Sequence, residues 1–167
     1  MFRKQAHIGL YIAMGTALTA LEFLVPLPLP WLKPGLANLV TLLALSRWGT
    51  KETLFIVMMR IFLSALITGR FLQPGFFMSL AGGVSAALVM AVLFRWRGRI
   101  FSLVGISVTG AVVHNTAQLA TVYLLFIRHA RIVSLLPWLL VTALAAGILV
   151  GTLGMLILRR LEGAGAG

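Results

Sequence analysis

The stretch 102–128, SLVGISVTGAVVHNTAQLATVYLLFIR, constrains this chain more than any other. It is apolar over more than the roughly 20 residues a helix needs to cross a bilayer. Yet His114, Asn115 and Gln118 stand near its middle. In hydrocarbon the backbone must satisfy its own hydrogen bonds, so such a stretch is a helix. Polar side chains at that depth are costly and face a bundle interior or a wet cavity. Ser107, Ala111, His114, Gln118 and Thr121 recur at intervals of four, three, four and three, which puts them on one helix face. We expect that face to line a cavity between helices.

Other apolar runs surround this one. Of 167 residues 60% are hydrophobic and only 10% charged, against about 25% charged in an ordinary soluble domain. The class this leaves is an all-α, polytopic membrane protein. The net charge of +11 does not indicate a nucleic-acid partner, because the basic residues fall between apolar runs, one to three at a time. They fit positive-inside loops and contacts with lipid headgroups. With no cysteine, disulfides and thiolate chemistry are excluded. The basic N-terminus precedes an apolar run too long for a signal peptide, and reads as a retained first span.

Six spans are predicted: 8–25, 35–48, 52–69, 75–94, 102–128 and 134–158. They form one domain over 1–162, with a flexible tail over 163–167. Pro26, Pro28 and Pro30 end the first span and stiffen the loop to Trp31, Lys33 and Pro34. The second is short, at about 20 Å. Gly49 and Thr50 supply an N-cap for the third. Charge decides whether the short span crosses. With six spans and both termini cytoplasmic, Arg3, Lys4, Arg47, Lys51, Arg95, Arg97, Arg99, Arg159 and Arg160 lie inside, nine in all. Lys33, Arg70, Arg128 and Arg131, four residues, lie outside. Without that crossing the best split is eight to five, so six spans agree better with the positive-inside rule. The location expected is a cytoplasmic membrane.

Only three acids exist, Glu22, Glu52 and Glu162, and there is no aspartate. Glu52 opens the third span, where a carboxylate offsets the helix dipole. Glu22 and Arg60 are the charges expected within the membrane, at roughly 21 and 12 Å from the cytoplasmic ends of their helices. Both should point inward, as a structural ion pair or as ligand contacts. At 100° per residue Glu22 lies about 160° from the middle of the Ala13–Ala17 stripe. If Glu22 faces inward, Gly9, Ala13 and Ala17 face outward, where small residues suit a partner helix better than lipid. Small-residue stripes in the fourth and sixth spans suit packing within the chain or docking onto another membrane subunit.

His114 is expected either as a satisfied interior histidine or as pocket lining. It has no second ligand at i+3 or i+4, so no metal is expected. Asn115 points about 100° away and suits helix packing. Gln118 and Thr121 lie further out, and Ser107, deeper, should serve packing alone. The turn 33–38 (KPGLAN) either caps the second helix or offers free N–H groups to an anion, with Asn38 just inside. Thr68 and Arg70 sit across the same face. The expected ligand contacts are therefore Glu22, Asn38, Arg60, Thr68, Arg70, His114, Gln118 and Thr121, suited to a small polar or anionic molecule.

No Walker A loop is present, so the chain does not power itself with ATP. Without aspartate it has none of the aspartate-rich magnesium sites that ionise a prenyl diphosphate, and no serine or threonine has an acid–base partner in evidence. We expect neither enzyme activity nor a cofactor.

LPLPWLKPGLANLVTLLAL, MRIFLSALITG, FMSLAGGVSAALVMAVL and FSLVGISVTGAVVHNTAQL together resemble the bacterial "Gx transporter" family, also labelled heptaprenyl diphosphate synthase component I. The likeness runs strongly over about 22–118. That family is similar to the substrate-binding S-components of energy-coupling factor (ECF) transporters. The resemblance implies six helices with cytoplasmic termini and an outward cavity for a nutrient or cofactor precursor. It implies docking on a transmembrane coupling subunit that carries two ATPases. It also implies that Ala13-Met-Gly-Thr-Ala17 matches the alanine motif making that contact. The alternative implied by the label is a non-catalytic membrane subunit serving polyprenyl diphosphate or quinone synthesis, or membrane electron transfer.

Overall fold

A computed structural model of the chain describes residues 2–24 and 35–164. They form α1 (Phe2–Leu24), α2 (Ala37–Trp48), α3 (Thr50–Ile67), α4 (Pro74–Phe94), α5 (Leu103–Leu125) and α6 (Leu136–Ala164), with a 3-10 turn at Ala130–Leu135 leading into α6. No strand occurs among the described residues. The proline-rich loop 25–34, with Lys33, lies outside them. Two segments, Pro74–Phe94 and Arg131–Leu161, are long and apolar enough to cross a membrane by length and composition.

Local sequence explains the boundaries. Pro74 opens α4 where its missing N–H costs nothing. Ser102 caps α5, its Oγ accepting from the Gly105 N–H at 3.0 Å. The start of α3 differs from the sequence expectation. Gly49 is the cap there, and Thr50 already lies in the first turn. Gly49 is the whole connection between α2 and α3. Its φ of 88° lies in the left-handed region that a side chain disfavours. Glu52 is ion-paired with Lys4 of α1 at 2.6 Å, tying the starts of two helices together.

α2 is the hub. It is the shortest helix, yet it packs against all five others. Ala37, Asn38, Val40, Thr41, Leu42, Leu43, Ala44 and Leu45 are all buried. The remaining helices carry large apolar side chains outward, among them Leu21, Phe55, Leu88, Leu125 and Ile148. Twelve residues at 1.5 Å rise give about 18 Å, well short of the helices around it. The bundle is therefore filled where α2 runs.

The tightest helix pair is α5 with α6. A Cβ on Gly147 would lie 2.5 Å from Val108 Cα, and one on Gly151 would lie 2.7 Å from Val104 Cα. Glycine at these two positions lets the backbones touch. Buried Ser107 packs beside Gly151, as expected of a packing residue. Adding one methyl with Gly147→Ala should cost about 1–3 kcal/mol through overpacking. The same change at Gly9, where nothing lies within 4 Å, should not destabilise the protein. Thermal unfolding of the two variants in detergent checks the contrast.

Candidate functional site

Beyond the N-terminal end of α2 the six helices close around a small polar cavity. Its wall takes Thr19 and Glu22 from α1, Ala37 and Asn38 from α2, and Arg60 from α3. Ser79 comes from α4, His114, Asn115 and Gln118 from α5, and Ala143 and Ala146 from α6. Its volume is about 40 Å³, room for one or two water-sized groups.

Arg60 dominates the chemistry. Only 3% of its surface is exposed. Gly15 of α1 makes its passage, since a Cβ there would lie 2.8 Å from Arg60 Cδ. The guanidinium reaches Thr41 Oγ1 of α2 with one long bond, 3.5 Å, and among the described residues Nε has no hydrogen-bond partner. Glu22 is close enough for its charge to act on Arg60. A buried guanidinium has five N–H donors to satisfy. Among the described residues it makes one long bond, and the group stands on the wall of a cavity.

Glu22 has a task that the sequence did not show. Its Oε1 accepts the Leu36 N–H at 2.5 Å. A carboxylate from α1 thus sits at the start of α2, where free N–H groups and the helix dipole favour negative charge. Asn38, buried two residues further on, bonds through its backbone N–H to the Gly35 carbonyl at 2.8 Å.

On α5, Gln118 Nε2 and His114 Nε2 are 2.9 Å apart. With the amide N–H as donor, the imidazole is neutral and its proton sits on Nδ1. Gly82 of α4 makes room for this pair, because a Cβ there would lie 2.9 Å from Gln118 Cγ and 3.1 Å from His114 Cε1. Asn115 Nδ2 donates to the Leu139 carbonyl of α6 at 2.9 Å, so it serves packing while also forming part of the wall.

Of the eight expected ligand contacts, Glu22, Asn38, Arg60, His114 and Gln118 meet at the cavity. Thr68, Arg70 and Thr121 do not. Thr68 Oγ1 donates to its own helix at Ser64 O, 2.7 Å, and Thr121 Oγ1 to Ala117 O, 2.8 Å. Arg70 is exposed past the end of α3 and lines with Thr68 a separate, minor recess. Sequence reasoning missed Thr41, Gly15 and Gly82, whose importance arises only from contacts between distant segments.

Ala13 and Ala17 lie elsewhere. With Gly9 they are exposed on the outer face of α1. Together with Leu63 and Ile67 of α3 they line an open apolar groove of about 510 Å³.

The sequence profile of the family described as heptaprenyl diphosphate synthase component I matches residues 11–157, a span that includes every cavity residue. No curated protein and no solved structure matches the chain.

The Glu22 contact gives a direct test. Glu22→Ala should lower stability by about 1.5–3 kcal/mol, the usual worth of a hydrogen bond to a charged group. Glu22→Gln keeps an acceptor oxygen at the Leu36 N–H and should lose less. Chemical denaturation of both variants measures the difference.

Proposed function

We propose, on the premise that this chain belongs to the heptaprenyl diphosphate synthase component I family, that it is a non-catalytic membrane subunit binding a small anionic group in its central cavity. The observation that carries this reading is Arg60, a buried guanidinium with an unused donor on the wall of a cavity built by all six helices. Anions satisfy guanidinium donors better than neutral groups do. Asn38 and Gln118 add amides to the same wall, and the small volume fits the carboxylate end of a ligand rather than the whole of one.

The fuller form of the reading is an S-component-like subunit of an ECF-type transporter in a bacterial cytoplasmic membrane. All six helices cross, and both termini are cytoplasmic. The cavity then lies in the outer half and receives a nutrient or cofactor precursor from outside. Supporting this are the apolar side chains that the helices around α2 turn outward. A soluble monomer rarely exposes contiguous apolar patches beyond a few hundred Å². The groove along Gly9, Ala13 and Ala17 suits a helix of the coupling subunit, which would bring two ATPases to a chain that has no Walker A loop of its own.

The family's description favours a second reading, a membrane partner of a catalytic prenyl synthase. The chain itself has no aspartate with which to build a magnesium site for a prenyl diphosphate.

Affinity purification of the tagged full chain from its native membranes separates the two. The transporter reading expects a polytopic membrane subunit and two ATPases to copurify. It also expects Ala13→Leu with Ala17→Leu to lose them while the chain still folds. A soluble prenyltransferase in their place would establish the second reading, and neither partner would leave both unsupported.

A further inference from the structure

The polar cavity leaves a larger concavity unused. A pocket of about 430 Å³ opens between α4, α5 and the turn leading into α6, and shares only Gln118 with the polar cavity. Its walls are almost wholly apolar, built by Met78, Leu119, Val122 and Ile132 among others. One cationic side chain, Arg131, and a histidine, His129, stand in its lining, and both residues are exposed.

The turn holds these two groups in fixed relation. His129 Nδ1 accepts the Arg131 backbone N–H at 3.2 Å. The ring proton therefore sits on Nε2, which can donate outward. No carboxylate stands among the described residues of the lining. The chain has no acid between Glu52 and Glu162, and Glu52 is paired with Lys4. Glu162 is carried near the far end of α6, whose 29 residues rise about 40 Å.

Volume and charge together select a ligand. The pocket falls within the roughly 300–1,000 Å³ of small-molecule sites. At about 30 Å³ for each water-sized group, it has room for roughly fourteen such groups. That suits one hydrocarbon chain and not the two of a diacyl phospholipid. The apolar wall offers nothing to a polar nutrient, and the Arg131 guanidinium beside the His129 N–H favours an anionic head. We propose that this pocket binds a single-chain anionic amphiphile, with the chain against α4 and α5 and the head on Arg131 and His129. A fatty acid and an isoprenyl phosphate share this chemistry. The site stands independently of the role given to the polar cavity.

The test uses the full chain in phosphatidylcholine nanodiscs, titrated with radiolabelled tetradecanoate, farnesyl phosphate and tetradecanol. At least one of the two anions should bind saturably at one per chain, and the tighter names the source. Tetradecanol should bind about tenfold more weakly or worse, as should the anion to Arg131→Gln, the loss expected when a charge-assisted hydrogen bond is removed. Val122→Trp, which fills the pocket, should abolish binding. Arg131 is exposed, so its variant keeps the test informative should the tryptophan variant misfold. Equal binding of alcohol and anions overturns the proposal. So does unchanged affinity in Arg131→Gln, or no saturable binding above empty nanodiscs.

Discussion

The burial of one guanidinium sets the terms for the rest of the structure. Arg60 enters the bundle from α3 across Gly15 of α1 and reaches Thr41 on α2, so three helices are arranged around a single charge. Such a group is costly to take from water, and its cost falls only when its donors are met. One long bond to Thr41 and the nearby charge of Glu22 supply part of what it needs. The unpartnered Nε is what makes the cavity chemically specific rather than merely a packing gap.

The cavity owes its place to the shortness of α2. A full-length α2 in the middle of the bundle would fill the space that Asn38, His114 and Gln118 now surround. Its short length also brings a helix N-terminus deep into the protein, where free N–H groups need partners. Glu22 meets that need through Leu36, so the same acid that offsets Arg60 also holds the helix that bounds the cavity. The structural and electrostatic roles of Glu22 are thus not alternatives.

Much of this was legible in local pattern. Apolar runs and their breakers placed all six helices to within a few residues, except that α1 begins earlier and α6 runs on to Ala164. Helical periodicity put Ser107, Ala111, His114 and Gln118 on one face, and set Glu22 opposite Ala13 and Ala17. The described burial agrees, with Glu22 inside and both alanines exposed. Contacts between distant segments were not legible. Gly15 and Gly82 look like ordinary small residues until Arg60, His114 and Gln118 are set against them. Thr68 and Thr121 carry the right chemistry on the right helices, but each spends its hydroxyl on its own preceding turn. Periodicity gives direction and leaves that choice open.

The central claim is that Arg60 holds an anionic group in the polar cavity. Native mass spectrometry of the full chain purified from its own membranes tests it most directly, comparing wild type with Arg60→Gln and Arg60→Lys. The account predicts a small, non-lipid anion bound to wild type. It should be lost from Arg60→Gln and partly kept by Arg60→Lys, with helix content unchanged in both. An identical bound species on a folded Arg60→Gln protein, or none on wild type, would contradict it.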